Sequence, residues 1–196
     1  MSLTEEYYQD NSKLFFDETV NADVSLLHEK FLSYVPSGGR ILDFGCGSGR
    51  DAKFFASSGY VVSAIDGSSQ LCELARAYSG VDVKCMDFME FDEKEAYDAI
   101  WACASLLHVK TFLLPSVIDK MRLALVPGGI MYMSFKRGEF EGERDGRFFN
   151  DMTEESFASV LASVKGLTLV EQWYSEDVRR GKDVRWFNAV VRKDET

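Results

Sequence analysis

Arg40-Ile41-Leu42-Asp43-Phe44-Gly45-Cys46-Gly47-Ser48-Gly49-Arg50-Asp51 is the stretch on which the reading of this chain turns. Its first part, Ile41-Leu42-Asp43-Phe44, is apolar on both faces, as a strand covered by helices on each side must be. Three glycines at alternate positions follow, and then a helical pattern begins. Glycine suits such a turn because it tolerates positive φ and lets a ligand lie against the backbone. The turn and the helix start leave N–H donors facing outward, which favours a polar or anionic ligand group. A dinucleotide fingerprint would place its third glycine at position 50, where this chain has Arg50; the pattern is GxGxG. Glycines also serve plain tight turns, but the acid Asp43 just before this one argues for a binding turn.

Working outward, Val61-Val62-Ser63-Ala64-Ile65-Asp66 reads as a second buried strand that ends in a carboxylate. An acid there can accept hydrogen bonds from the two hydroxyls of a ribose. The competing role is a cap for the next helix, which Gly67-Ser68-Ser69 would also allow. Further strand-like runs cover Asp82–Cys85, Tyr97–Ala102, Ile130–Phe135, Leu167–Ser175 and Val184–Arg192. Helix-like segments cover Thr4–Phe16, Val24–Tyr34, Asp51–Ser58, Ser69–Ser79, Thr111–Leu125 and Thr153–Val164. Strand–helix alternation predicts right-handed crossovers and a parallel sheet. The short polar link Glu176–Asp183 makes a hairpin of the last two strands and so introduces one antiparallel strand.

With 196 residues and 46% hydrophobic content, one domain with a substantial core is expected. A formal charge of −10 disfavours DNA or RNA as partner, since nucleic-acid binders present a basic face. The longest apolar stretch, near Met121–Phe135, is interrupted by Pro127-Gly128-Gly129, so no membrane span is expected. The acidic opening MSLTEEYYQD lacks the layout of a secretory signal. Cys46, Cys72, Cys85 and Cys103 form no CxxC pair, which points to neither zinc nor disulfides but to reduced thiols in a cytoplasmic protein.

Taken together these pieces resemble the class I S-adenosylmethionine (SAM)-dependent methyltransferases over nearly the whole chain. ILDFGCGSGR resembles their first motif and VSAIDGS their ribose-binding second strand. CMDFMEF (Cys85–Phe91) resembles the adenine-contacting segment. YDAIWACASLLHV (Tyr97–Val109) resembles the fourth strand with its active-site loop, and LVPGGIMYMSF (Leu125–Phe135) the turn into the fifth strand. Within that superfamily the chain looks most similar to small bacterial methyltransferases of the tellurite-resistance group.

The resemblance implies an α/β, Rossmann-like three-layer sandwich: a seven-stranded, mostly parallel sheet of order 3-2-1-4-5-7-6 with one antiparallel strand. It implies one methyltransferase domain over residues 1–196, with a helical cap over about 1–35. SAM would be the cofactor and S-adenosylhomocysteine (SAH) the product. Gly45, Gly47 and Gly49 would let the backbone approach the methionine part, with Cys46 giving a backbone contact and Asp43 orienting the ammonium. Asp66 would hold the ribose, with Gly67 and Ser68 beside it. Asp87 would accept from the adenine amino group and Phe88 would offer its N–H. Cys103 and Ala104 would line the methyl-bearing end, although a buried Cys is commonly an inert packing thiol. Related enzymes fold an N-terminal segment over the cofactor, which points to Tyr7 or Tyr8.

Methyl transfer from a sulfonium needs mainly alignment and exclusion of water, so no nucleophilic triad or metal is required. His108 is the candidate base, at the carboxyl edge of the sheet where α/β sites form; its other role would be structural. His28, inside a helix, reads as structural. The segment Lys136–Phe149, KRGEFEGERDGRFF, carries four bases against four acids and so is neutral in composition. It reads either as a solvated loop or as a substrate lid in which Arg144 or Arg147 pairs with an anionic acceptor. The WACAS loop has nothing of the Asn-Pro-Pro-Tyr motif of enzymes that methylate amino groups of bases or glutamine, so a small-molecule acceptor (an O, N, S or chalcogen nucleophile) is expected. Two other classes stand beside this reading: a non-catalytic SAM-binding module and an NAD-dependent oxidoreductase. A monomer or homodimer is expected.

Overall fold

The computed structural model describes residues 3–179, 181 and 183–195. The glycine-punctuated core comes out as read: β1 (Arg40–Phe44), α4 (Arg50–Ser57), β2 (Val61–Asp66), α5 (Ser69–Ser79), β3 (Asp82–Cys85) and β4 (Tyr97–Ala102). After a short 3₁₀ passage come α6 (Leu114–Ala124) and β5 (Leu125–Lys136). β5 starts earlier than its apolar run because Leu125 already pairs with Tyr97, and the register slips before Ala99 meets Ile130. Gly128, at φ +75, absorbs the slip. Next come α7 (Glu154–Ala162), β8 (Leu167–Glu176) and β9 (Arg185–Lys193).

Within the segment read as a solvated loop or a lid, Lys136–Phe149, the chain forms a two-stranded hairpin, β6 (Glu141–Arg144) and β7 (Arg147–Asn150). Its turn is Asp145-Gly146, both at positive φ (51° and 73°), the geometry that matches the twist of a two-residue hairpin.

The main sheet has the order β3-β2-β1-β4-β5-β9-β8. Because the hairpin takes the labels β6 and β7, this is the order expected from sequence, with the last two strands renumbered. β9 runs antiparallel to both of its neighbours; the other pairs are parallel. Alternation sorts the core into layers. Ile41, Trp101 and Tyr132 face one side, where they pack with Phe31 of α3 (Ser25–Leu32) and Phe55 of α4. Leu42, Ile100 and Met131 face the other, against Met121 of α6 and Phe157 of α7.

The N-terminal helix expected over Thr4–Phe16 is two helices, α1 (Leu3–Asp10) and α2 (Ser12–Thr19). The break falls at Asn11, whose Nδ2 donates to the Tyr7 carbonyl at 2.9 Å and so competes with the backbone ladder. Among the described residues no helix is long and apolar enough to cross a membrane.

Candidate active site

A cleft opens at the carboxyl edge of β1, β2 and β4, roofed by α1 and α2. This is where open α/β sheets place ligands.

The floor is the glycine turn. Gly45, Gly47 and Gly49 all take positive φ, at 85°, 52° and 77°. A Cβ on Gly45 would lie 2.4 Å from Cβ of Ser105, and one on Gly47 would lie 3.0 Å from the ring of Phe15. The first therefore excludes any side chain, and the second leaves the cleft floor as bare backbone. Gly49 serves a different purpose. It caps α4, and a Cβ there would lie 3.0 Å from Ala75, so the glycine lets α4 and α5 approach.

Asp66 ties the turn to β2. Its Oδ2 accepts from the Gly47 amide and its Oδ1 from the Ser68 amide, both at 2.9 Å. Burial pushes its carboxyl above the ordinary range, and those amides pull it back. An ionised carboxylate offers about four lone-pair positions, so acceptor capacity is left for a ligand on the cleft side. The capping role is taken by Ser68, whose Oγ accepts from the Leu71 amide.

Asp87 and Phe88 form the side wall with Met86. Asp87 is exposed and uses one oxygen on the Met89 amide at 2.7 Å. The Phe88 ring stacks on Phe44 at 4.4 Å, a contact that fixes the wall to the end of β1. Beyond β4, Ala104 holds φ +52, a left-handed conformation that costs a non-glycine residue about 1–2 kcal/mol. Its amide donates to Ser134 Oγ at 2.8 Å, which helps to hold the strained turn at the cleft.

Four expected residues stand behind this wall. Asp43 is buried beneath the turn; its Oδ2 has no partner among the described residues, and burial together with the Asp51 charge raises its pKa well above the carboxylate range. Cys46 is buried under the turn with its amide donating to the Ile65 carbonyl at 2.9 Å. Gly49 serves helix packing as described. Cys103 packs toward Trp101 and Tyr132, and burial pushes its thiol up to about 12.

Residue 50, where a dinucleotide fingerprint has glycine, begins a buried network that sequence alone does not show. Arg50 donates twice to Asp51, at 2.7 and 2.9 Å, and Asp51 also accepts from His28 and from the Trp101 indole, both at 2.8 Å. These partners hold the Asp51 carboxyl far below its ordinary value. His28 is thus a structural histidine, stacked on Phe54 at 4.1 Å.

On the far rim the cap, the loop after β4 and the hairpin meet. His108 Nδ1 lies 2.7 Å from the Phe148 carbonyl, which can only accept, so Nδ1 carries the proton. Nε2 is then an acceptor, and Tyr8 donates its hydroxyl to it at 2.8 Å. Burial lowers the His108 pKa to about 4, so the ring is neutral at ordinary pH. Arg147 donates to the Tyr8 oxygen at 3.4 Å. Tyr8 and His108 line the cleft; Arg144 and Arg147 sit outside its wall. Arg144 is engaged, bridging Asp151 at 3.0 and 3.3 Å. The cap is sealed further where Phe148 donates its amide to Thr4 Oγ1 at 3.0 Å. Among the described residues no cluster of three or more His, Cys, Asp or Glu could hold a metal ion.

Residues 41–129 match a family model described as a methyltransferase domain. The chain is 32% identical over 107 residues to a ubiquinone biosynthesis O-methyltransferase of Xanthomonas axonopodis pv. citri, an alignment covering 50% of this chain and 44% of that protein. It therefore spans less than half the length of the curated relatives it matches. Among solved structures, a SAM-dependent methyltransferase of Methanosarcina mazei superposes with a TM-score of 0.76 at 18% identity, covering 89% of this chain and 99% of that one. The 1,6-didemethyltoxoflavin-N1-methyltransferase of Burkholderia thailandensis, solved with 1,6-didemethyltoxoflavin and S-adenosylhomocysteine, gives 0.75 at 20% identity, covering 96% and 84%. At these identities the two structures show the fold alone, and the domain match covers less than half of the chain.

Proposed function

We propose that this chain, a member of the class I SAM-dependent methyltransferase superfamily, is an enzyme that moves a methyl group from SAM to a small-molecule acceptor. The observation that carries this is the joint between the glycine turn and Asp66, where bare backbone and a carboxylate with spare acceptor positions meet at one cleft.

The residues present fit SAM. The Gly45 and Gly47 backbone would carry its methionine part, the free acceptor positions of Asp66 its ribose hydroxyls, and the Asp87–Phe88 wall its adenine. Gly67 and Ser68 lie beside the ribose position, and Ala104 and Tyr8 at the reactive end. Asp43, Cys46, Gly49 and Cys103 act from behind the wall by holding its shape. SAM, when bound, supplies an electrophilic methyl carbon and departs as a neutral thioether. The chain's own work is alignment and exclusion of water, and the α1–α2 roof over the cleft provides both. Neutral His108 can take a proton only through Nε2, which Tyr8 occupies, so an acceptor proton would pass to the Tyr8 oxygen as Tyr8 gives its own to His108.

The curated relatives are oxygen methyltransferases, which favours an O-nucleophile over a chalcogen one. The acidic charge and free thiols suit a cytoplasmic enzyme acting on small molecules rather than nucleic acid. Calorimetry with SAM, SAH and NADH tests the donor: SAM and SAH should bind and NADH should not. Release of SAH in the presence of a panel of phenols, enols and carboxylates tests turnover. Binding without turnover on any acceptor would favour the non-catalytic module, and binding of NADH alone would overturn the donor assignment.

A further inference from the structure

The segment Lys136–Phe149 is neutral in composition, but the fold sorts its charges. Glu139, Glu141, Glu143 and Asp145 are exposed, whereas Lys136, Arg144 and Arg147 are half-buried. In the hairpin register Arg144 stands directly opposite Arg147, a like-charge pair on one face. Strand alternation puts Phe149 on that face too. The Lys136 ammonium lies 3.9 Å from the Phe149 ring centroid, and the guanidinium carbons of Arg144 and Arg147 lie 4.7 and 5.0 Å from it. Three cations therefore share one phenylalanine.

One carboxylate answers them. Asp151 is bridged by Arg144. Among the described residues neither Lys136 nor Arg147 is in an ion pair, and Arg147 Nε is buried with no acceptor. Cation–π contacts offset only part of the cost of bringing such groups out of water. Burial, with the charges of Arg144 and Arg147, lowers the Lys136 pKa. The chain has 32 acidic residues, and among the described ones only Asp151 forms an ion pair with this cluster. The cluster also adjoins the reaction centre: Arg147 reaches the Tyr8 hydroxyl, and the Phe149 ring lies 5.0 Å from that of His108.

We propose that Lys136 and Arg147, over the ring of Phe149, form the anion-binding subsite of the methyl acceptor, so that the acceptor is a small molecule carrying a carboxylate or phosphate group. This rests on the methyl-donor reading above. The guanidinium fork suits two oxygens of such a group, and Lys136 adds a point charge. With the anion held there, the rest of the acceptor extends past Tyr8 and His108 toward the cleft. Arg144, already paired, buttresses the subsite.

The test uses the full chain saturated with SAH and three small probes: benzoate, phenyl phosphate and the neutral isostere benzamide. Chemical-shift titration should show at least one anion binding about tenfold or more tighter than benzamide, the scale of a charge-assisted pair; which anion leads tells carboxylate from phosphate. In the Lys136→Gln/Arg147→Gln double variant the preference should fall to about twofold or less, while Arg137→Gln, a neighbour outside the subsite, should keep it. SAH affinity, read by calorimetry, should stay within about threefold in all variants, because none touches the glycine turn. Each single variant should lose part of the preference, which gives a reading should the double variant fail to fold. Equal binding of anions and benzamide to the parent chain, or a preference that survives the double substitution, overturns the subsite and leaves the donor reading standing. Failure of SAH to bind the parent chain would overturn both.

Discussion

The two rims of the cleft are built by opposite means. The rim proposed to hold SAM is mostly backbone: Gly45 and Gly47 at positive φ, with Asp66 gripping the Gly47 and Ser68 amides. Its parts come from two successive strand ends. The opposite rim is mostly side chain, and its pairs cross the chain: Tyr8 to His108 spans 100 positions and Arg147 to Tyr8 spans 139. A backbone rim suits a ligand that does not change, since few substitutions can alter it. A side-chain rim can be rewritten for a new acceptor without disturbing the sheet. Comparable edges of one fold thus divide the constant half of the chemistry from the variable half.

The largest effect that would break this comparison is expected at Gly45. Gly45→Ala places a Cβ against Ser105 and forces an unfavourable φ, so it should destabilise by about 2–4 kcal/mol. SAH affinity should fall by about a hundredfold. Gly67→Ala on the same rim meets no protein atom within 4 Å and should leave stability within error. Thermal melts and calorimetry on the pair decide it; similar responses would mean that the turn does not work through its bare backbone.

On the opposite rim the next effect is pH dependence. The His108 pKa is lowered to about 4 from an ordinary value of 6.5. Between those values the unfolded chain binds the proton and the folded chain does not, so stability is present above pH 6.5 and is lost as pH falls through this window. After allowance for partial solvent access the loss should be about 2 kcal/mol, and His108→Gln should flatten that part of the profile. Denaturation at about pH 7 and about pH 4.5, on either side of the ordinary imidazole value, measures it. An unchanged slope in the variant would assign the acid sensitivity elsewhere. For the same reason catalysis should show no acid limb near pH 6.5.

A smaller change is expected at Tyr8. Tyr8→Phe removes the donor to His108 Nε2 and leaves a buried acceptor unmet, a cost of about 1–2 kcal/mol. With any acceptor that turns over, kcat should fall by about a hundredfold if the hydroxyl relays a proton, while KM for SAM should hardly move. A rise in KM for SAM alone would make Tyr8 a cover for the cofactor rather than part of the proton path.

The same division decides what can be read from sequence. β1, β2, β3, β4 and α5 lie residue for residue where expected, because glycines bound them and their apolar runs leave no choice of face. The hairpin escapes such a reading: Glu141–Asn150 looks like solvated charge, and its burial comes from Phe149 and Met152 packing into a core assembled by distant strands. The Asp145-Gly146 pair is the available signal. Among residues of the cleft, Gly45, Gly47 and Asp66 can be found because they sit at the ends of two successive strands. No local pattern shows that Asp51 gathers Arg50, His28 and Trp101, or that among the described residues Arg144 finds an acid and Arg147 does not.

The smallest expected effect bears on a residue assigned by position in the motif. That position puts Cys103 at the methyl-bearing end, but its neighbour Ala104 reaches the cleft while the thiol packs toward Trp101 and Tyr132 and accepts from Ser134 at 3.8 Å. With its pKa pushed up to about 12 it stays protonated and makes a poor nucleophile. Cys103→Ala should therefore cost about 1 kcal/mol of packing and leave SAH affinity within about twofold. A tenfold loss of SAH affinity with stability unchanged would place the thiol on the cofactor after all, and the backbone rim would then extend one residue further along β4 than the wall of the cleft suggests.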